Sequence, residues 1–349
     1  YLFGSVLVSH GSVLEADGSL PIKIHVEESK HKSISIGVSY DTMEKLGSSF
    51  SWTNCNFRGM GELLSLNADF SKKVLTGILT YRKPDFKKMN QDYILRLQAL
   101  REEIHAYLSF VYSFVNRLDY QITPKFYLSP GLRFEHIIVK RSANSGTYNL
   151  IGLPLYLKYS GANSLLNPTR GFQITYQLTP YQNCSRHQVF FLKQKLTPEI
   201  YVPIAKKEVL VLASRLQLGS LLFAAQKYIP LTKLFLGGSE TELRGYRYRT
   251  VGPRNRANDC LGGRSALYWT IEPRMRLSKA IGLVAFGDFG VVSKKSYPNP
   301  FAKWYKSVGV GMRYFAFFGP LRFDIAFPLN RRKDIDPKFG IYASMGQTF

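Results

Sequence analysis

The chain has 349 residues, 45% of them apolar and 14% aromatic, with 22 Tyr and 24 Phe, and a formal net charge of +23. No apolar run approaches the roughly 20 residues of a membrane-spanning helix, yet a mean hydropathy of −0.12 is what strands alternating between lipid and lumen produce, with the aromatic surplus serving as interfacial girdles. The charge does not make a nucleic-acid protein. Its Lys and Arg are scattered over turns such as Lys72-Lys73, Lys206-Lys207 and Arg331-Arg332-Lys333, with no basic helix or aromatic RNA-binding pattern, so phosphate-bearing lipid head groups or an acidic partner are the expected counterparts.

In chain order, residues 1–31 read differently from the rest. Pro21 to Glu27 suggests a strand, and the polar stretch from Glu28 to Lys32 leads onward. Thirty residues rarely fold alone, so this segment is expected to be the tail of a soluble domain. A start at Tyr1, without an initiator Met or an export signal, reads as a mature or truncated segment. From residue 32 strand signals dominate, at 32–40, 47–56, 62–70, 74–82, 92–100, 103–117, 124–138, 147–159, 171–179, 188–203, 208–220, 264–277, 280–292, 304–316, 320–329 and 338–349. That is about sixteen, an even number as in single-chain bacterial barrels. The expected fold is therefore all-β, a transmembrane antiparallel barrel over 32–349.

Between the strands at 208–220 and 264–277 lies one long connection, 221–263, and loops of that length are more often functional than passive. Period two is clearest at the end of the chain. Leu321, Phe323, Ile325 and Phe327 alternate with Arg322, Asp324 and Ala326; Phe339, Ile341, Ala343, Met345, Gln347 and Phe349 alternate with Gly340, Tyr342, Ser344, Gly346 and Thr348. An Arg and an Asp interleaved with four large apolar residues require one face in lipid and the other in a polar interior.

The long connection contains Gly237-Gly238-Ser239-Glu240-Thr241-Glu242-Leu243-Arg244-Gly245-Tyr246, followed by Arg247-Tyr248. This resembles the loop-six signature of the BamA/TamA superfamily of outer-membrane insertases, a Gly pair followed by [VI]RG[FY], with Leu243 a mild departure. Asn167-Pro168-Thr169-Arg170-Gly171, Phe286-Gly287-Asp288-Phe289-Gly290, Gly319 to Pro328 and the ending Gly346-Gln347-Thr348-Phe349 resemble further family segments, in family order. Arg-Gly-Tyr-Arg-Tyr and the Gly-Gln-Thr-Phe ending are closer to TamA. The resemblance covers 167–349; the first half supports it only by strand pattern. It implies that residues 1–31 end a POTRA domain, an α/β module, on the periplasmic side of a bacterial-type outer membrane. Missing POTRA domains would meet an inner-membrane or periplasmic partner, and client outer-membrane proteins and lipid or lipopolysaccharide head groups would be the remaining partners.

The resemblance also implies that the loop folds inward and that Arg244 meets Glu272 and Asp288; the plainer reading is a solvated loop arginine. Parity places both acids on the inner face: Glu272 shares its face with Ala266, Tyr268 and Thr270, and Asp288 lies opposite Leu283, Ala285 and Phe289. A guanidinium between two carboxylates is a suitable anchor. Gly237-Gly238 lacks the Lys-Ser/Thr of a phosphate loop, so turn geometry explains it better. Six histidines and three cysteines show no metal-ligand spacing, and no nucleophile elbow is present, so no metal, cofactor or enzymatic activity is expected. Cys184 and Cys260 fall in loops on one side, either paired or as two free thiols.

The expected function is assembly or translocation of client barrels through a seam between the first and last strands, where Gly37, Gly340 and Gly346 and the polar Ser33, Ser35 and Ser39 weaken pairing. Phe339, Gly340, Ile341 and Phe349 mark the terminal strand. A general BamA-type insertase, a two-partner secretion transporter and a passive porin are the alternatives.

Overall fold

The computed structural model describes every residue except 1–2, 12–16, 42–44, 143, 186, 206–207, 257, 317–318, 346 and 348. An antiparallel hairpin comes first, β1 (Phe3–His10) with β2 (Ile22–Glu28). Its apolar Val6, Val8, Ile24 and Val26 are exposed. The remaining strands form one closed barrel. They are β3 (Lys32–Asp41), β4 (Lys45–Asn54), β5 (Leu63–Ser71), β6 (Val74–Lys83), β7 (Gln91–Glu103), β8 (Leu108–Thr123), β9 (Phe126–Lys140), β10 (Gly146–Gly152), β11 (Leu155–Ser160), β12 (Gly171–Asn183), β13 (Phe190–Pro203), β14 (Leu210–Leu222), β15 (Ser265–Arg276), β16 (Ile281–Ser293), β17 (Tyr305–Ala316), β18 (Gly319–Pro328) and β19 (Gly340–Met345).

β10 and β11 both pair with β9 and with β12, so they are one stave of the wall interrupted at Leu153-Pro154, and the ring has sixteen staves. The sequence pattern had them as a single strand at 147–159. Pro154 has no N–H to give the ladder; its carbonyl instead accepts from Gly131 N at 2.8 Å. The turn expected at 101–102 falls at 104–107, because β7 continues to Glu103 and β8 begins at Leu108.

The wall follows period two. On β18, Arg322, Asp324 and Ala326 are buried inward while Leu321, Phe323 and Phe327 face outward, the pattern of a strand between lipid and lumen. Among the described residues no helix is long and apolar enough to cross a membrane. The long connection, 223–264 in the structure, turns into the barrel. Its Ile229, Leu231, Leu234, Leu236 and Val251 pack in the lumen against wall residues that include Tyr107, Ile137, Leu150, Phe191 and Tyr268. The part of the barrel interior that the loop occupies is therefore a hydrophobic core rather than a pore.

Closure is uneven. β3 is laddered to β4 over its whole length, and β18 to β19 from Leu321–Met345 to Ala326–Gly340. Among the described residues β19 and β3 meet through one pair, Tyr342–Asp41. On β3, Ile34, Ile36 and Val38 are 66–78% exposed. The terminal residues depart from the expected alternation, which had Gln347 and Phe349 on the lipid face; Gly346 and Thr348 lie outside the described residues. Gln347 accepts from Arg313 Nε at 3.0 Å and donates to Asn167 Oδ1 at 3.1 Å. Phe349 lies under the Arg215 and Arg274 guanidiniums, 4.8 Å from each, and its carbonyl accepts from Arg274 Nη2 at 3.0 Å. Two inward cations beside a terminus freed from its ladder draw the ring in by cation–π attraction.

Candidate functional site

The site is assembled on the inner faces of β15, β16 and β18. Period two aims Glu272, Asp288 and Asp324 inward, all at 1% exposure or less. Between β16 and β18 runs β17, whose inward positions include Gly309 and Gly311. A Cβ at Gly311 would overlap Asp324 Oδ1, and one at Gly309 would overlap Phe286. Bare backbone on β17 thus leaves room for three carboxylates and an arginine.

Arg244, at 0% exposure, fills that room. Its Nε and Nη2 each donate at 2.8 Å to Asp288 Oδ2 and Oδ1, a bidentate fork, and its backbone N–H adds 3.1 Å to Oδ2. Nη1 reaches Glu272 Oε1 at 2.8 Å and Asp324 Oδ2 at 3.1 Å. The guanidinium stacks 3.4 Å over the Phe286 ring. Burial alone would lower the Arg244 pKa, but the Asp288 and Glu272 carboxylates outweigh it and hold the group above its ordinary value. The acids have further partners. Glu272 receives Arg274 at 2.9 Å, and Asp324 receives Arg313 at 2.5 Å and Arg322 at 2.9 Å. Paired charges with many hydrogen bonds among them are the condition under which so dry a cluster is tolerated.

The neighbours of Arg244 explain the rest of the motif. Gly238 has φ +96° and Gly245 φ +88°, left-handed conformations suited to glycine; a Cβ at Gly238 would collide with Arg247 O. Gly237 exchanges two backbone hydrogen bonds with Val251. Leu243 is buried over Gly290 and Tyr268. Gly245 N donates to Tyr342 Oη at 2.7 Å. Tyr246 Oη donates to Lys306 O at 2.8 Å, and its ring meets Tyr305 edge-on at 5.6 Å.

A second set of contacts lies across the lumen. Arg249 Nη1 is 2.9 Å from both oxygens of Glu102 on β7, which also accepts from Tyr107 Oη at 2.5 Å. Lys233 Nζ is 2.5 Å from Glu135 on β9. β7 and β16 are eight staves apart in the ring of sixteen. The loop is thus a strut held by charge at both walls.

The structure brings Gly237, Gly238, Leu243, Arg244, Gly245, Tyr246, Glu272 and Asp288 together at one end of this strut. Gly340 lies against it, since a Cβ there would come within 3.2 Å of Gly245 Cα. Phe339 and Ile341 stay on the outer face, and Phe349 is in the lumen at a different place. Sequence reasoning missed Asp324 as a third carboxylate, although its inward parity was legible. It also missed Glu102 and Glu135, for which no local signal exists. Cys184 is exposed and Cys260 buried, both as free thiols. Among the described residues no group of His, Cys, Asp or Glu could hold a metal ion.

Fold and site together define a sixteen-stave membrane barrel whose lumen is closed by an arginine-latched inward loop. The chain belongs to the Omp85 superfamily, whose domain matches residues 56–349. It is 31% identical over 168 residues to the outer membrane protein assembly factor BamA of Nitratidesulfovibrio vulgaris, 46% of this chain and 20% of that protein. It is 27% identical over 164 residues to a SAM50-like protein of Schizosaccharomyces pombe, 42% of this chain and 34% of that one. The matched stretch thus spans between a fifth and about a third of those relatives. In fold it is similar to Haemophilus ducreyi BamA lacking POTRA domains 1–3, with a TM-score of 0.81, 18% identity, and coverage of 97% of this chain and 75% of that one. CdiB from Acinetobacter baumannii is less similar, with a TM-score of 0.62, 13% identity and 98% and 66% coverage.

Proposed function

We propose that this barrel belongs to an outer-membrane assembly factor that receives client β-strands at the seam between β3 and β19. One observation supports the reading: among the described residues the two strands share one pair, Tyr342–Asp41, whereas the other neighbours are laddered along most of their lengths. In hydrocarbon each unpaired backbone group costs several kcal/mol. A weakly joined pair of edges therefore offers a client strand hydrogen bonds by β-augmentation, with no bond-making chemistry. The inward loop packed across the lumen argues against a passive porin. The exposed apolar face of the β1–β2 hairpin suits the end of a POTRA domain, on the periplasmic side, through which an inner-membrane or periplasmic partner would be met. The finer assignment, a TamA-like factor, rests on Arg244 to Tyr248 and on the chain ending. Turn lysines would face lipid or lipopolysaccharide head groups.

The test locks the seam. In a background with Cys55, Cys184 and Cys260 replaced by Ala, Ser39→Cys and Ser344→Cys continue the Tyr342–Asp41 register. The crosslinked protein in liposomes is expected to stop assembling a client barrel and to resume on reduction. The control pair Ser65→Cys and Thr80→Cys, opposite each other on β5 and β6, should have no effect. Undiminished assembly with the seam locked would replace this reading with a conduit through the lumen.

A further inference from the structure

Below the inward loop, on the hairpin side of the barrel, a second lumen region has no part in the latch. It is a cavity of about 1000 Å³ between β6 and β12. Strand register explains its chemistry. Arg96 on β7 and Arg133 on β9 both stand opposite Val115 of β8, and Arg117 is the next residue of β8 on the same face. Three guanidiniums on three adjacent strands therefore share one patch of inner wall. Opposite Arg117 is Gly131, where a Cβ would lie 3.0 Å from Arg117 Cβ; the absent side chain gives the arginine room. Arg82 and Lys158 extend the basic lining.

The acids nearby do not balance this charge. Asp92 is taken by Arg82, at 2.5 and 2.9 Å, Asp119 by Arg117 at 3.0 Å, and Asp85, in the turn at the cavity rim, accepts from Asn90 N at 2.8 Å. Glu135 is 3.9 Å from Arg133 but 2.5 Å from Lys233 of the loop. Among the described residues Arg96 and Lys158 have no hydrogen bond or ion pair, and the charges that bear on Arg96 are those of Arg117 and Arg133. Like charges in neighbouring positions of a sheet are destabilising. Arg82, Arg117, Arg133 and Lys158 line the polar cavity and Arg96 stands beside them in register, a wall prepared for an anion. Guanidinium forks match the planar pair of oxygens on a carboxylate or phosphate. The volume is at the upper end of the range for ligand pockets, more than one small ion needs.

We propose that this part of the lumen is a binding site for polyanions, molecules carrying several carboxylate or phosphate groups, held by Arg96, Arg117, Arg133 and Lys158. The proposal is independent of seam opening, since none of these residues lies on β3, β18 or β19.

The whole chain, reconstituted in nanodiscs of zwitterionic phosphatidylcholine, is titrated calorimetrically with tripolyphosphate, hexaglutamate and hexalysine. Saturable binding of at least one polyanion, weakening as salt rises, is expected, and none of hexalysine. Binding of tripolyphosphate alone assigns a phosphate ligand, and binding of hexaglutamate alone an acidic polypeptide. Arg96→Gln with Lys158→Gln should weaken binding about tenfold or more, the loss of charge-assisted hydrogen bonds, while heat-modifiable migration reports the intact fold. Both side chains lack partners, so their removal breaks no ion pair. Failure of both polyanions to bind the unaltered protein, equal binding of hexalysine, or full affinity in the folded double variant would each overturn the site.

Discussion

Arg244 is the residue on which the loop's position turns, and its partners set the consequence of losing it. Arg244→Ala would leave Glu272 with Arg274, and Asp324 with Arg313 and Arg322. Asp288 would lose its ion pair, since among the described residues Arg244 is the cation bridged to it. A buried carboxylate stripped of its partner costs about 3–5 kcal/mol, borne here by loop docking rather than by the wall. Limited proteolysis of the reconstituted protein should therefore cut 223–264 faster in Arg244→Ala than in the unaltered chain. Adding Asp288→Asn should recover part of the protection, since it removes the orphaned charge. Equal cutting rates in all three proteins would mean that the latch does not hold the loop. Arg244→Lys should also loosen it, because an ammonium cannot make the bidentate fork.

At the scale of elements, the loop is a strut with two independent ends. The Arg249–Glu102 contact and the Lys233–Glu135 contact hold it to β7 and β9, half the ring away from the Arg244 cluster. Glu102→Gln should weaken only that far end, leaving Arg249 without its carboxylate. Hydrogen exchange is expected to rise in 246–252 while the amides of β15 and β16 stay protected. A uniform rise across the barrel would show instead that the strut and wall unfold together. The seam is the other element with a distinct energetic character. β3 carries Gly37 and an outer face of Ile34, Ile36 and Val38 that no neighbour on the β19 side covers fully, whereas interior staves are laddered on both sides.

For the molecule as a whole, closed backbone pairing and an inward hydrophobic plug give a compact, kinetically resistant shell. The purified protein in detergent should show a β-rich circular dichroism spectrum and migrate faster on gels unheated than boiled. A predominantly helical spectrum would contradict the barrel and everything built upon it. The net charge of +23 is divided between turns and lumen. The lumen charges are mostly paired with acids; on the hairpin side Arg96 and Lys158 have no ion pair among the described residues.

By itself the sequence determined the local and periodic features. Alternation in segments such as Leu321–Phe327 set the strand count and the inward direction of Glu272, Asp288 and Asp324, because side-chain period depends only on the pleat. Gly237-Gly238 was legible as turn geometry, and Arg244-Gly245-Tyr246 through its resemblance to a family loop signature contained in one short stretch. Only the tertiary structure decided what depends on ring closure. It placed Glu102 and Glu135 opposite the loop, gathered Arg96, Arg117 and Arg133 by register, drew Phe349 beneath Arg215 and Arg274, and brought Tyr342 of the last strand to Asp41 of the first. None of these is written in a window of neighbouring residues, because each joins positions that only the closed barrel makes adjacent.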